Sequence, residues 1–131
     1  MSKGINKNTS INTVKLIQGI GKDINWNNKK KTQLAQAILT LKNIDETKRF
    51  LRDLMTKKEI EEFANRLEAA RLLAGDVQYN AIIESTGLSS TTIARIAKWL
   101  NGSLGGYRIV LNKLGHAHSQ KSVGKGLSSY S

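Results

Sequence analysis

The sequence predicts an all-α domain, and three observations predict it. Proline is absent from all 131 residues, so the strongest breaker of helices is missing. From Lys31 onward apolar residues recur three and four apart rather than two apart, which is the helical period. Ser, Thr or Asn heads several of these stripes, twice with Glu three residues later, the arrangement that satisfies the free N–H groups of a helix start. Leu, Ile, Val and Phe make up 34 of the 131 residues, enough apolar content for the helices to collapse on a core.

The elements follow in order. Residues 1–30 are rich in Asn, Lys and Gly, and the stripe of Ile11, Val14, Ile17 and Ile20 is interrupted by Gly19 and Gly21. This stretch reads as a basic, mostly flexible arm, and 31–114 as the helical domain. Leu34, Ala37, Ile38 and Leu41 stripe the first helix. Asn43 caps a second, with Glu46 completing a capping box and Thr47, Phe50, Leu51 and Leu54 along one side. Thr56 and Glu59 form another box. It opens a long helix with Ile60, Phe63, Leu67, Ala70 and Leu73 or Ala74 inward, and Gly75 as its C-cap. Residues 78–86 read as a short helix carrying Ile82 and Ile83. Gly87 ends it, and Ser89 caps the next, which runs through Leu100. Residues 101–106 read as a loop. Tyr107, Val110, Leu111 and Leu114 stripe the last helix, and 115–131, rich in Gly, Ser, Lys and His, reads as a flexible tail.

The most informative stretch runs from Tyr79 to Trp99, YNAIIESTGLSSTTIARIAKW. A helix-turn-helix needs a turn residue that tolerates positive φ, and Gly87 supplies it. Leu88 follows as the apolar plug between the helices, and Ser89 as the N-cap of the second. Ile93 and Ile96 form the buried face, with Trp99 continuing the line. The opposite face starts short and polar, as entry into a major groove requires. Gly-Leu-Ser-x-x-Thr-Ile-x-Arg-Ile agrees with the widespread helix-turn-helix signature at seven positions. The competing reading is an αα-hairpin buried in a core, for which the Ser-Ser-Thr-Thr run is too polar. Ile83 stands where many such units carry a small Ala, which bears on the angle between the two helices.

Charge supports a polyanionic partner. The net charge is +11. Residues 1–31 carry seven bases and one acid, residues 32–88 eight bases and nine acids, and residues 89–131 six bases and no acid. A near-neutral body with basic ends binds phosphate through counterion release. No segment pairs a basic face with a bulky apolar face, as a membrane-surface helix does. No apolar run reaches the length of a membrane span, and the first residues lack the apolar segment of a signal peptide. Double-stranded DNA is the expected partner and the cytoplasm the expected location.

Other chemistry finds little support. With no cysteine, disulfides, thiolate metal sites and a Cys nucleophile are excluded. His116 and His118 lie one residue apart with no carboxylate nearby, so no metal site is expected. Gly102 to Gly106 lacks the Gly-Lys-Ser/Thr ending of a phosphate loop, although the helix start after Gly105 and Gly106 presents N–H groups that suit a DNA phosphate. Glu61 and Glu62 face different directions, and Ser85 and Ser128 have no base partner. No enzyme activity and no cofactor are expected.

The wider pattern, LKNIDETKRFLRDLMTKKEIEEFANRLEAARLLAGDVQYNAI, then the helix-turn-helix, then NGSLGGYRIVLNKL, resembles the Trp-repressor superfamily, and within it the YerC/YecD-like branch. The resemblance covers residues 39–114. It implies a Trp-repressor-like helical bundle, an intertwined homodimer in which helices before Thr56 wrap the partner, and one recognition helix per subunit. Two short helices within one chain would bury little of the 31–55 stripes, which independently favours a partner surface. The resemblance also implies an effector pocket at Thr56, Arg66 and Arg95. Ile96 stands where the repressor has Gly, however, and Trp99 where it has Ser, so tryptophan is disfavoured as effector and another small molecule is left open.

The expected function is therefore sequence-specific DNA binding by a homodimeric transcriptional regulator, with repression the favoured sign. Ser90, Thr91 and Arg95 are expected to reach base edges, and Ser89, Thr92 and Lys98 to contact phosphates. The arm is expected to lie along an adjacent groove. The alternatives are an accessory DNA-binding protein in recombination, replication or plasmid maintenance, and a basic RNA-binding protein, which the scarcity of aromatics disfavours.

Overall fold

A computed structural model describes residues 24–125, with side chains to residue 115. The expected Ile11 to Ile20 stripe, the rest of the arm up to residue 23, and residues 126–131 lie outside the described residues. The elements are α1 (Lys29–Leu39), α2 (Ile44–Leu54), α3 (Lys57–Ala74), α4 (Tyr79–Thr86), α5 (Ser90–Leu100) and α6 (Gly106–Lys125). Among the described residues every regular element is a helix, and none is long and apolar enough to cross a membrane. The chain divides within α3 into two compact units, one ending at Ala64 and the other beginning at Asn65.

In the first unit, caps set the helix starts. The Asn28 side chain accepts from the Lys31 N–H at 3.1 Å, so α1 begins at Lys29, before the stripe that announces it. Asn43 accepts from the Glu46 N–H at 2.9 Å. Glu46 in return takes the N–H of Lys42 at 3.1 Å, one residue upstream of the partner a capping box specifies. The Thr56 box closes as expected. Its hydroxyl accepts from the Glu59 N–H at 3.1 Å, and the Glu59 carboxylate accepts from the Thr56 N–H at 2.9 Å. Neither α1 nor α2 contains a buried residue, and Leu34, Ile38, Leu39, Ile44 and Leu54 stand exposed.

The second unit holds the core. Ala69 and Ala70 of α3, Ile82 of α4 and Ile93 of α5 are wholly buried, with Ile96 beside them. Leu72, Leu73, Val77, Ile83, Leu88, Tyr107 and Leu111 pack around this cluster. Ala69 and Ala70 are small, and both contribute to this cluster from α3. Gly75 follows the last residue of α3, Ala74, as the expected cap, but the left-handed turn falls one residue later. Gly75 is not left-handed; Asp76 is, at φ 62°. The Val77 N–H reaches the Leu72 carbonyl and the Asp76 N–H the Leu73 carbonyl, each at 3.0 Å, which is the Schellman closure with Asp at C′. On the same helix, two hydrogen bonds from Arg71, at 2.9 and 2.7 Å, hold the Glu68 carboxyl below the usual carboxylate range.

The last helix also runs past the end expected for it at Leu114. Helix α6 continues through Gly115 to Lys125. An interior glycine costs about 1 kcal/mol relative to alanine, whereas extending an existing helix adds one hydrogen bond per residue without a new nucleus. With no proline between residues 115 and 125, nothing forces a stop.

Candidate nucleic-acid interface

The turn between α4 and α5 is built from its own side chains. Gly87 is left-handed at φ 75°, and its N–H closes on the Ile83 carbonyl. Ser89 adopts an extended backbone and its hydroxyl accepts from the Thr92 N–H at 3.1 Å. The same hydroxyl donates to Thr92 Oγ1 at 3.0 Å. Thr86 is the residue that sequence reasoning missed. It is buried, its hydroxyl donates to the Ile82 carbonyl at 2.7 Å and accepts from the Leu88 N–H at 3.2 Å. A threonine immediately before the turn glycine was the available signal, since a short hydroxyl there can bridge the last turn of α4 to the turn itself.

Helix α5 turns one face to the core and the other outward. Ile93 and Ile96 are buried as expected, but the third core residue is Leu100 rather than Trp99. Seven residues advance a helix to within about 20° of its starting direction, and six leave it about 120° away. Leu100 thus returns to the Ile93 side, while Trp99 sits 37 % exposed. Trp99 lines an apolar cavity of about 500 Å³ with Leu67, Leu104, Gly106, Tyr107 and Val110.

The outward face carries Ser90, Thr91, Ala94, Arg95 and Lys98, all exposed. Thr91, Ala94, Arg95 and Lys98 follow the spacing of a single helical stripe. Among the described residues neither Arg95 nor Lys98 takes part in an ion pair. The first turn of α5 contains no acidic residue, so the positive end of its dipole stands uncompensated. The six sequence-selected residues therefore do not form one uniform set. Ser90, Thr91, Arg95 and Lys98 are presented outward. Thr92 is half-buried, and the Ser89 hydroxyl is engaged in capping. Replacing Ser89 with alanine will lower folding stability by about 1 kcal/mol, because the Thr92 N–H loses its acceptor. A urea titration showing no shift in midpoint would contradict this.

The three residues expected in an effector pocket have different surroundings. Thr56 is exposed and bound to Glu59 as an N-cap. Arg66 is half-buried on α3, and Arg95 is exposed on α5. Ile96, 3 % exposed, belongs to the core.

Residues 29–115 match the Trp repressor protein family. The chain is 38 % identical over 90 residues to YerC of Bacillus subtilis, an uncharacterised protein, an alignment that spans 69 % of this chain and 86 % of YerC. Its fold is similar to the crystal structure of a TrpR-like protein from Eubacterium eligens, with a TM-score of 0.64 and 40 % identity. That match covers 69 % of this chain and 93 % of the other.

Proposed function

The chain belongs to the Trp repressor family, and on that premise we propose that it is a sequence-specific binder of double-stranded DNA that regulates transcription as a cytoplasmic homodimer. The observation that carries this reading is the outward face of α5. It offers an uncapped arginine fork, two short hydroxyl side chains and a lysine on a helix whose other face is locked into the core. Ser90, Thr91 and Arg95 read base edges, Arg95 as a bidentate donor to guanine. Lys98 and the N–H groups at the start of α5 engage phosphate. A helix-turn-helix seated on its site excludes other proteins from the same DNA, so repression is the expected sign.

The exposed Leu34, Ile38, Leu39, Ile44 and Leu54 of α1 and α2 support a second copy as partner, since an apolar surface of this extent is stabilised by leaving water. Twofold symmetry then sets two α5 helices about 34 Å apart. Any effector is a small molecule other than tryptophan, because the Ile96 side chain fills the position that the repressor leaves to glycine.

Selection from a random duplex pool at near-physiological salt, with single-stranded RNA as competitor, tests the proposal. The expected product is a near-palindrome with half-sites about one helical turn apart. Enrichment of no sequence, with RNA competing equally, would overturn it and favour an RNA-binding role.

A further inference from the structure

The C-terminal end of α5 is closed by contacts that no helix-turn-helix requires. The Ala97 carbonyl accepts from both the backbone N–H of Asn101, at 3.0 Å, and its side-chain amide, at 2.9 Å. The Trp99 carbonyl accepts from the Gly102 N–H at 3.1 Å. The Leu100 carbonyl accepts from a guanidinium nitrogen of Arg108, which lies in the first turn of α6, eight residues along the chain. The guanidinium is seated against the backbone of the connecting loop. Gly105 is buried and left-handed at φ 72°, and a Cβ there would come within 3.2 Å of Arg108 Nη2. A Cβ at Gly102 would come within 3.2 Å of the Lys98 carbonyl. Both glycines thus permit a close approach, and a cation at the negative end of α5 is electrostatically favoured.

We propose that Arg108 is a positioning residue for DNA reading: its guanidinium latches the end of α5 to α6 and so sets the angle at which Arg95 and Lys98 enter the groove. The inference rests on the DNA reading above, and adds a residue outside the helix-turn-helix. The core side chains Ile93, Ile96 and Leu100 fix how deeply α5 sits, but a helix held along one face can still pivot about it. A hydrogen bond from a separate helix to its last carbonyl removes that freedom.

Two variants separate position from charge. Arg108→Met removes the donor and the cation but keeps an apolar stem. Gly105→Ala keeps the cation, crowds its seat against the loop and strains the left-handed backbone at φ 72°. Both retain helical circular dichroism, and both lose about tenfold in affinity for the selected duplex, the scale of one hydrogen bond to a charged group. Nonspecific binding stays near that of the parent, and the slope of log K against log salt is unchanged. A slope reduced by about 0.9 in Arg108→Met, with specific and nonspecific affinity falling together, would instead make Arg108 a phosphate contact. Parental affinity in Gly105→Ala would also overturn the latch.

Amide hydrogen exchange, measured without DNA, gives an independent reading. The Asn101 and Gly102 amides exchange about tenfold faster in Arg108→Met, and unchanged rates overturn the latch. If the parent protein selects no duplex, the DNA reading fails, and exchange alone decides whether Arg108 fastens α5.

Discussion

Arg95→Ala will lower affinity for the selected operator by about 1–3 kcal/mol, roughly five- to 150-fold, the worth of one bidentate contact to guanine. Arg95 is exposed in the middle of the outward stripe of α5, and it holds no ion pair among the described residues. Truncating it therefore costs little folding stability and leaves no buried partner stranded. Nonspecific binding, which is set by the number of neutralised phosphates, will fall only slightly. The check is a pair of binding isotherms at one salt concentration, one with the selected duplex and one with a scrambled duplex of equal length. Equal losses on both would make Arg95 a backbone contact. Arg95→Lys sharpens the test, since lysine keeps the charge but cannot donate as a planar fork. Specificity at one base position should relax while the salt slope holds.

Ile93→Ala will act through stability instead. Ile93 is wholly buried, in contact with a cluster that includes Ala69, Ala70 and Ile82. Removing its outer carbons forfeits transfer energy and leaves a void that the neighbouring helices close only in part, at a cost of about 2–5 kcal/mol. Against a total stability of about 5–15 kcal/mol, that is a large share. Denaturant titration should show a lower midpoint with an unchanged slope. DNA binding should be lost only to the extent that the protein is unfolded, and should recover on cooling towards the temperature of maximum stability. A loss below 1 kcal/mol would mean that α5 is not anchored at this residue. Ile93→Val, which removes one methylene, should cost about 0.5–1.5 kcal/mol. The contrast between Arg95 and Ile93, two residues apart, is that between the two faces of one helix.

The helix-turn-helix was legible because its determinants are local. Gly87 must be left-handed, Ser89 must accept from an N–H three residues on, and Thr56 must do the same at the head of α3. Each requirement involves atoms within one turn of chain, so residue type and spacing express it. The misreadings arose where two local solutions compete or where a distant contact decides. Gly75 caps α3 as expected, but the left-handed turn that a glycine cap suggests falls on Asp76. The chain uses Asp76, since that choice lets Val77 bond back to Leu72 and pack against the core. Trp99 and Leu100 are both apolar at the end of α5, and a count by threes picked the wrong one. The stop expected at Gly115 rested on composition, which is a weak signal against the cooperativity of a helix already formed.

What the sequence alone determined is the helical class, the order of the elements and the chemistry of the turn, through interactions spanning four residues or fewer. What only the tertiary structure decided is which alanines form the floor of the core, that Trp99 faces a cavity, and that Arg108 reaches Leu100 from another helix. The physical reason is range. Capping and periodicity are energies of neighbouring residues, written directly in their order. Burial and the Arg108 contact depend on where separate helices come to rest, which is a property of the packed chain and of no segment within it.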